Sequence, residues 1–205
     1  MKPGSSCRRE RGFTLIDVLV LIVLVGTVAG SLTTLFSRLS AQSAESLRAR
    51  QTLAIAQTLL NEVRMMPMTY CDPQDPRATL ATGAFTGGTG CSATVEGLGP
   101  EPGESRYNAA NRFDNVGDYN GLAIPGVGCA GGICDIAGNQ LNPPGSPLAG
   151  CSALITTTPQ ATPGIAALDA NGRPQGLRIV VRVRCPAQAD TVVEGVRLRH
   201  SPRQV

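Results

Sequence analysis

Polarity along the chain changes character several times. Val18 to Val25 is an unbroken apolar run, and Val18 to Phe36 carries no charge. Nineteen residues rising about 1.5 Å each make roughly 28 Å, the thickness of a bilayer's hydrocarbon core, so this stretch predicts a membrane-spanning helix. From 37 to 66 there is neither Pro nor Gly, and apolar residues recur at helical spacing: Leu47, Ile55, Leu59 and Val63, beside Leu53, Ala56 and Leu60. Arg48, Arg50, Gln51, Gln57, Asn61, Glu62 and Arg64 fill the positions expected to face water. Pro67 ends the pattern. The two stretches predict one helix from Phe13 to about Met65, roughly 80 Å long, with a transmembrane half and an amphipathic half.

The remainder divides in two. Residues 71–176 hold 19 Gly and 11 Pro, a composition of long loops, with brief strand signals at Ala93–Val95 and Ala153–Thr156. The C-terminal end alternates. Leu177, Ile179, Val181 and Val183 interleave with Arg178, Arg182 and Arg184, the period of a half-buried strand. Pro186 to Asp190 turns the chain, and Val192 to His200 returns with Val196 and Leu198 opposing Arg197 and Arg199. An antiparallel hairpin follows, whose apolar side is the natural partner of residues 47–63 of the helix. The fold class expected is α+β, a long N-terminal helix packed on an antiparallel sheet with elaborated loops.

Charge draws attention to the segment ahead of the apolar run, Arg8-Arg9-Glu10-Arg11-Gly12-Phe13-Thr14-Leu15-Ile16-Asp17. Basic residues before a spanning helix keep that end in the cytoplasm, which places the C-terminal part on the far side. Asp17 is costly at the edge of such a helix and asks for a functional reason. The simpler alternative is a secretory signal peptide cleaved near Val28-Ala29-Gly30, but Asp17 weakens that reading. The segment resembles the N-terminal signal of type IV pilins and pseudopilins. That resemblance implies cleavage between Gly12 and Phe13 by a prepilin peptidase, methylation of Phe13, and assembly with other pilin subunits through the N-terminal helix at an inner-membrane platform. Pilins usually carry Glu at the position of Asp17, where the carboxylate meets the N-terminal ammonium of a neighbouring subunit. The resemblance also implies a pilin-like fold. The expected organisation is a cleaved leader over 1–12, a transmembrane helix over 13–36, an amphipathic helix over 37–66 and a β-rich periplasmic or extracellular domain over 67–205.

The leader also explains the charge balance. The whole chain has 18 basic and 15 acidic residues, and residues 1–12 account for four and one of them. The remaining chain is neutral, which removes support for nucleic-acid binding by a basic domain. Cys7 falls in the leader, leaving Cys71, Cys91, Cys129, Cys134, Cys151 and Cys185. An even number in a translocated domain reads as three disulfides. Many pairings are open to six cysteines. The sequential one, 71–91, 129–134 and 151–185, closes small loops where apolar residues are few. Zinc is the competing use, since Cys129 and Cys134 are closely spaced, but no second close pair exists and His200 is the lone histidine.

One loop segment stands apart: Asn111-Arg112-Phe113-Asp114-Asn115-Val116-Gly117-Asp118-Tyr119-Asn120-Gly121. It resembles a turn of minor pilins of the mannose-sensitive haemagglutinin type. Asp114, Asp118 and Asn120 near a Gly also suggest calcium, but the full calcium-loop spacing and its closing Glu are missing. A capped, Asx-rich turn is the expectation, with no metal and no cofactor.

Catalytic patterns are absent from the sequence. It holds no Gly-x-Ser-x-Gly elbow, no phosphate-binding Gly-Lys-Ser/Thr loop and no His-Glu-x-x-His, and the close carboxylates Asp72 and Asp75 lie in a loop rather than on a helix. The chain is read as a non-enzyme. A minor type IV pilin involved in adhesion is the first reading. A minor pseudopilin of a type II secretion system is the alternative, and a membrane-anchored, disulfide-rich binding module is a third.

Overall fold

A computed structural model describes residues 14–141, 144–146 and 148–199. The chain opens with a single helix, α1 (Leu15–Met65), and closes with four strands: β1 (Ala123–Ile124), β2 (Ser152–Pro159), β3 (Gly176–Arg184) and β4 (Thr191–Leu198). They form one antiparallel sheet in the order β1-β2-β3-β4. The chain divides after Leu47 into two compact units. The first is the apolar part of α1. The second holds the rest of α1, the loops and the sheet.

Within the second unit, α1 lies on the sheet. Its buried residues are Thr52, Ala56, Leu59, Leu60 and Val63, spaced three and four apart so that they share one face. Ala56, Leu59, Leu60 and Val63 meet Ala153 and Ile155 of β2 and Leu177, Ile179, Val181 and Val183 of β3 in one cluster. A fully buried Leu, Ile or Val contributes about 1.5–3 kcal/mol, so this layer is the main apolar store of the domain. Leu47 and Leu53, which share the expected helical spacing, are exposed instead. Pro67 stands just past the helix end, where no further turn can form.

The sheet corrects the expected facing of β4. Leu177, Ile179 and Val181 of β3 pair with Arg197, Gly195 and Val193. Paired residues share a face, so Gly195 and Val193 turn toward the helix, while Val192, Val196 and Leu198 are exposed. Gly195 supplies the reason. A Cβ there would stand 3.1 Å from Leu60 Cδ1 and 3.2 Å from Arg64 Cδ. The helix passes so close that a Cβ would have to push these two side chains aside by a few tenths of an ångström, and this register sets the glycine under it. Thr191 Oγ1 and Thr52 Oγ1 share a hydrogen bond at 3.1 Å along the same contact.

The loops are held by other means. The cysteines are bonded 71–91, 129–134 and 151–185, in chain order. The last bridge sits one residue outside the Ser152↔Arg184 pair that joins β2 to β3. Cys71 and Cys91 carry a satellite cluster with Ala81, Ala78, Tyr70 and Val95. The expected strand at 93–95 is only a single bridge, Cys71↔Val95, whereas Ala153–Thr156 lies within β2. Asp75 organises this loop by accepting the N–H groups of Arg77 (2.8 Å), Ser92 (3.1 Å) and Ala93 (2.8 Å).

Candidate functional site

Two parts of the molecule carry chemistry beyond packing. The first is the apolar portion of α1, a helix long and apolar enough to cross a membrane. Every described residue up to Arg50 is exposed. Polar groups inside the uncharged stretch are turned inward on the backbone. Thr27, Ser31, Thr33, Thr34 and Ser37 each donate their hydroxyl to a carbonyl three or four residues back, at 2.6–2.9 Å. Hydroxyls bonded this way need no water, as a lipid environment demands.

Asp17 sits in the first turn of this helix. Its Oδ2 accepts the Thr14 N–H at 3.1 Å and the Thr14 hydroxyl at 2.7 Å, while Thr14 Oγ1 accepts the Asp17 N–H at 3.4 Å. This is a reciprocal capping box, legible in the spacing Thr14-x-x-Asp17. It satisfies helix-end donors that lipid would leave unpaired. Both bonds fall on one carboxylate oxygen, so Oδ1 takes no share in the cap. Gly12 and Phe13, the residues of the expected cleavage and methylation, lie outside the described residues, as do Cys7 and His200.

The second part is the turn at 111–121 and what surrounds it. The Asx-rich turn is formed. Asp118 Oδ2 accepts the N–H groups of Asp114 (3.0 Å) and Asn115 (2.7 Å), and Asn115 Oδ1 accepts that of Gly117 (3.2 Å). A 3-10 turn over Gly117–Tyr119 follows. Asn120, grouped with the two acids in the sequence, goes elsewhere: its Oδ1 accepts the Thr157 N–H at 3.0 Å and ties the turn to β2. Tyr119 is buried edge-on against Phe113, with ring centroids 5.1 Å apart.

Glu62, expected in water on the outer face of α1, is instead held from this side. Arg106, only 3 % exposed, donates Nε to Oε1 and Nη2 to Oε2, both at 2.7 Å. The Tyr119 hydroxyl donates to Oε1 at 2.9 Å. Burial would lower the Arg106 pKa, but the bidentate bond and charge of Glu62 outweigh it and raise it. The Tyr119 phenol is pushed well above its ordinary range, first by burial and then by Glu62. Nothing in the helical pattern marks Glu62 as different from its exposed neighbours, because its partner lies 44 residues away in a loop.

A second acidic segment, Glu96 to Glu104, folds over the turn. The approach requires glycine: a Cβ on Gly117 would lie 2.3 Å from the Gly97 carbonyl oxygen, and the Gly99 N–H donates to the Gly117 carbonyl at 2.9 Å. Carboxylate oxygens of Glu104, Asp114 and Asp118 come within 4.8 Å of one another. Glu96 stands beside Asp118, within hydrogen-bonding reach of it. Among the described residues no ion pair touches Glu96, Glu101, Glu104, Asp114 or Asp118. Arg173 approaches, but it donates to the main-chain carbonyl of Glu96 at 3.4 Å.

The acids feel this crowding. Burial, then the charges of Asp118 and Glu101, push the Glu96 carboxyl up to about 9. Burial, then Asp72 and Glu104, push Glu101 to about 7. Glu104, Asp114 and Asp118 are raised as well, each first by burial. Comparison with known proteins finds no match to a family model, a curated protein or a solved structure.

Proposed function

We propose that this chain is a minor type IV pilin, closest to those of mannose-sensitive haemagglutinin pili. In this reading a prepilin peptidase cuts after Gly12 and Phe13 is methylated. The subunit waits in the bacterial inner membrane with its C-terminal domain in the periplasm. It then joins other pilin subunits at the assembly platform to start, cap or decorate an adhesive fibre. The observation that carries the reading is the start of α1: a capped helix end with one acid, Asp17, and no further charge before Arg38. A helix packed on an antiparallel sheet with disulfide-tied loops agrees with the pilin-like fold of this reading. A minor pseudopilin would use the same signal and helix, and the turn at Phe113–Gly121 favours the pilus.

Two measurements test the proposal. Intact mass of the native protein should show loss of the first twelve residues and a gain of one methyl group. A chain beginning at Ser31 would instead identify a signal peptide. The second measurement separates the two duties of Asp17, capping and charge pairing. Asp17→Asn keeps an oxygen for Thr14 but removes the charge. It should be cleaved and membrane-inserted yet scarce in sheared pili, whereas Asp17→Glu should assemble normally. Wild-type levels of the Asn variant in pili would reduce Asp17 to a helix cap.

A further inference from the structure

Buried carboxylates without partners need an explanation, because an unpaired charge in a protein interior costs several kcal/mol. Glu96 is 6 % exposed, and its side-chain oxygens meet no donor group, only the neighbouring Asp118 carboxyl. Asp118 is 1 % exposed, and while its Oδ2 holds the turn, its Oδ1 has no partner. Asp114 Oδ1 and Glu101 Oε1 are also buried and unpartnered. These oxygens gather where the Glu96–Glu104 segment crosses the 113–121 turn; the charge of Glu96 acts on Arg199, but among the described residues none of these carboxylates forms an ion pair.

We propose that this crossing is a calcium site, with Glu104, Asp114 and Asp118 as its protein ligands. The donors are all carboxylate oxygens, the preference of a hard divalent cation. Calcium binds oxygen at about 2.4 Å, so ligands on opposite sides of it stand about 4.8 Å apart. The three carboxylates fall within that span. Magnesium requires about 2.1 Å and a stricter octahedron and keeps several of its waters, so it suits an all-carboxylate protein site less well. The other elements shape the site. Asp118 is fixed by two backbone N–H groups that leave Oδ1 free. Gln74 Nε2 orients Asp114 through Oδ2 at 3.2 Å, and the Glu101 N–H orients Glu104 through Oε2 at 3.1 Å. Glu96, in contact with Asp118 behind these ligands, adds negative charge from the buried side. The site pins two segments that are otherwise joined by few bonds, so calcium acts as a fourth staple on the loop region beside the three disulfides.

The rival arrangement is a proton shared between Glu96 and Asp118, which would relieve their repulsion without a metal. Calorimetric titration of the full-length protein in detergent, stripped with EDTA and with its disulfides intact, separates the two. Calcium chloride should bind one to one and raise Tm, and magnesium chloride should bind more weakly. Asp114→Asn and Glu104→Gln should each weaken calcium binding at least about tenfold. Both residues are only partly buried, so their metal-free Tm should stay near that of the wild type. Glu194→Gln, at an exposed ion pair on β4, should leave binding unchanged. The proposal is overturned if folded wild type gives neither heat nor a Tm shift with calcium. It is overturned equally if both ligand variants bind calcium as well as the wild type.

Discussion

β3 places Leu177, Ile179, Val181 and Val183 in the core on alternate positions, and each touches apolar neighbours from α1 or β2. The loops between α1 and β2 bury residues too, but with carboxylates, backbone donors and sulfur: Asp75 on three N–H groups, Arg106 on Glu62, Cys71 on Cys91. The two regions therefore respond to different insults. Apolar packing is indifferent to pH and redox state, whereas the loops depend on both. A domain with only five Phe and Tyr residues and no Trp lacks the large side chains that would let one core cover everything, and the polar and covalent region is the consequence.

Three changes probe this contrast. Ile179→Ala should have the largest effect, about 2–5 kcal/mol, because a fully buried branched side chain leaves a cavity. Chemical denaturation should show the same loss at pH 5 and pH 8, and a pH-dependent loss would break the contrast on the sheet side. Replacing Cys71 and Cys91 together by Ser should cost about 3 kcal/mol, the value for a loop near this length. Hydrogen exchange should place the loss at 71–95 and leave the β2–β3 amides protected. Equal loss in β3 would make sheet and loops one cooperative unit.

The smallest effect belongs to Asp75. Burial alone would raise its carboxyl, but the N–H groups of Arg77, Ala93 and Ser92 outweigh this and hold it at about 2. Since the folded value lies below the unfolded value of about 3.9, the carboxylate stabilises the fold fully above pH ~4. That contribution disappears as pH falls toward 2. Wild type should exceed Asp75→Asn in stability at neutral pH, and the two should converge near pH 2. A gap that persists at pH 2 would mean that shape rather than charge holds this loop.

The sequence made some of these features plain and hid others. Alternation revealed β3 because every second residue there is buried by the same layer. The facing of β4 was misleading because the eye follows Val196 and Leu198, whereas the helix passes tightly over Gly195, on the opposite face. On α1, Ala56, Leu59, Leu60 and Val63 follow the helical period, but Glu62 looks like any solvent-facing acid until Arg106 arrives from a distant loop. The turn at 111–121 was recognisable by its Asx residues. Its convergence with Glu96, Glu101 and Glu104 was not, since it depends on two glycine backbones touching across Gly97 and Gly117. Local periodicity reports the layer a residue faces, and it carries nothing about which loop will cross above it.

The order of the disulfides has a consequence of its own. From Cys71 onward the cysteines are bonded in consecutive pairs, with no bridge nested in or crossing another. A polypeptide emerging from its N-terminal side presents Cys91 to Cys71 before Cys129 has appeared, and Cys134 to Cys129 before Cys151. If each pair closes on meeting, no more than one of these six thiols is ever waiting, so a wrong partner is not on offer. Correct connectivity then follows from the order of appearance, without any need to shuffle bonds after the chain is complete.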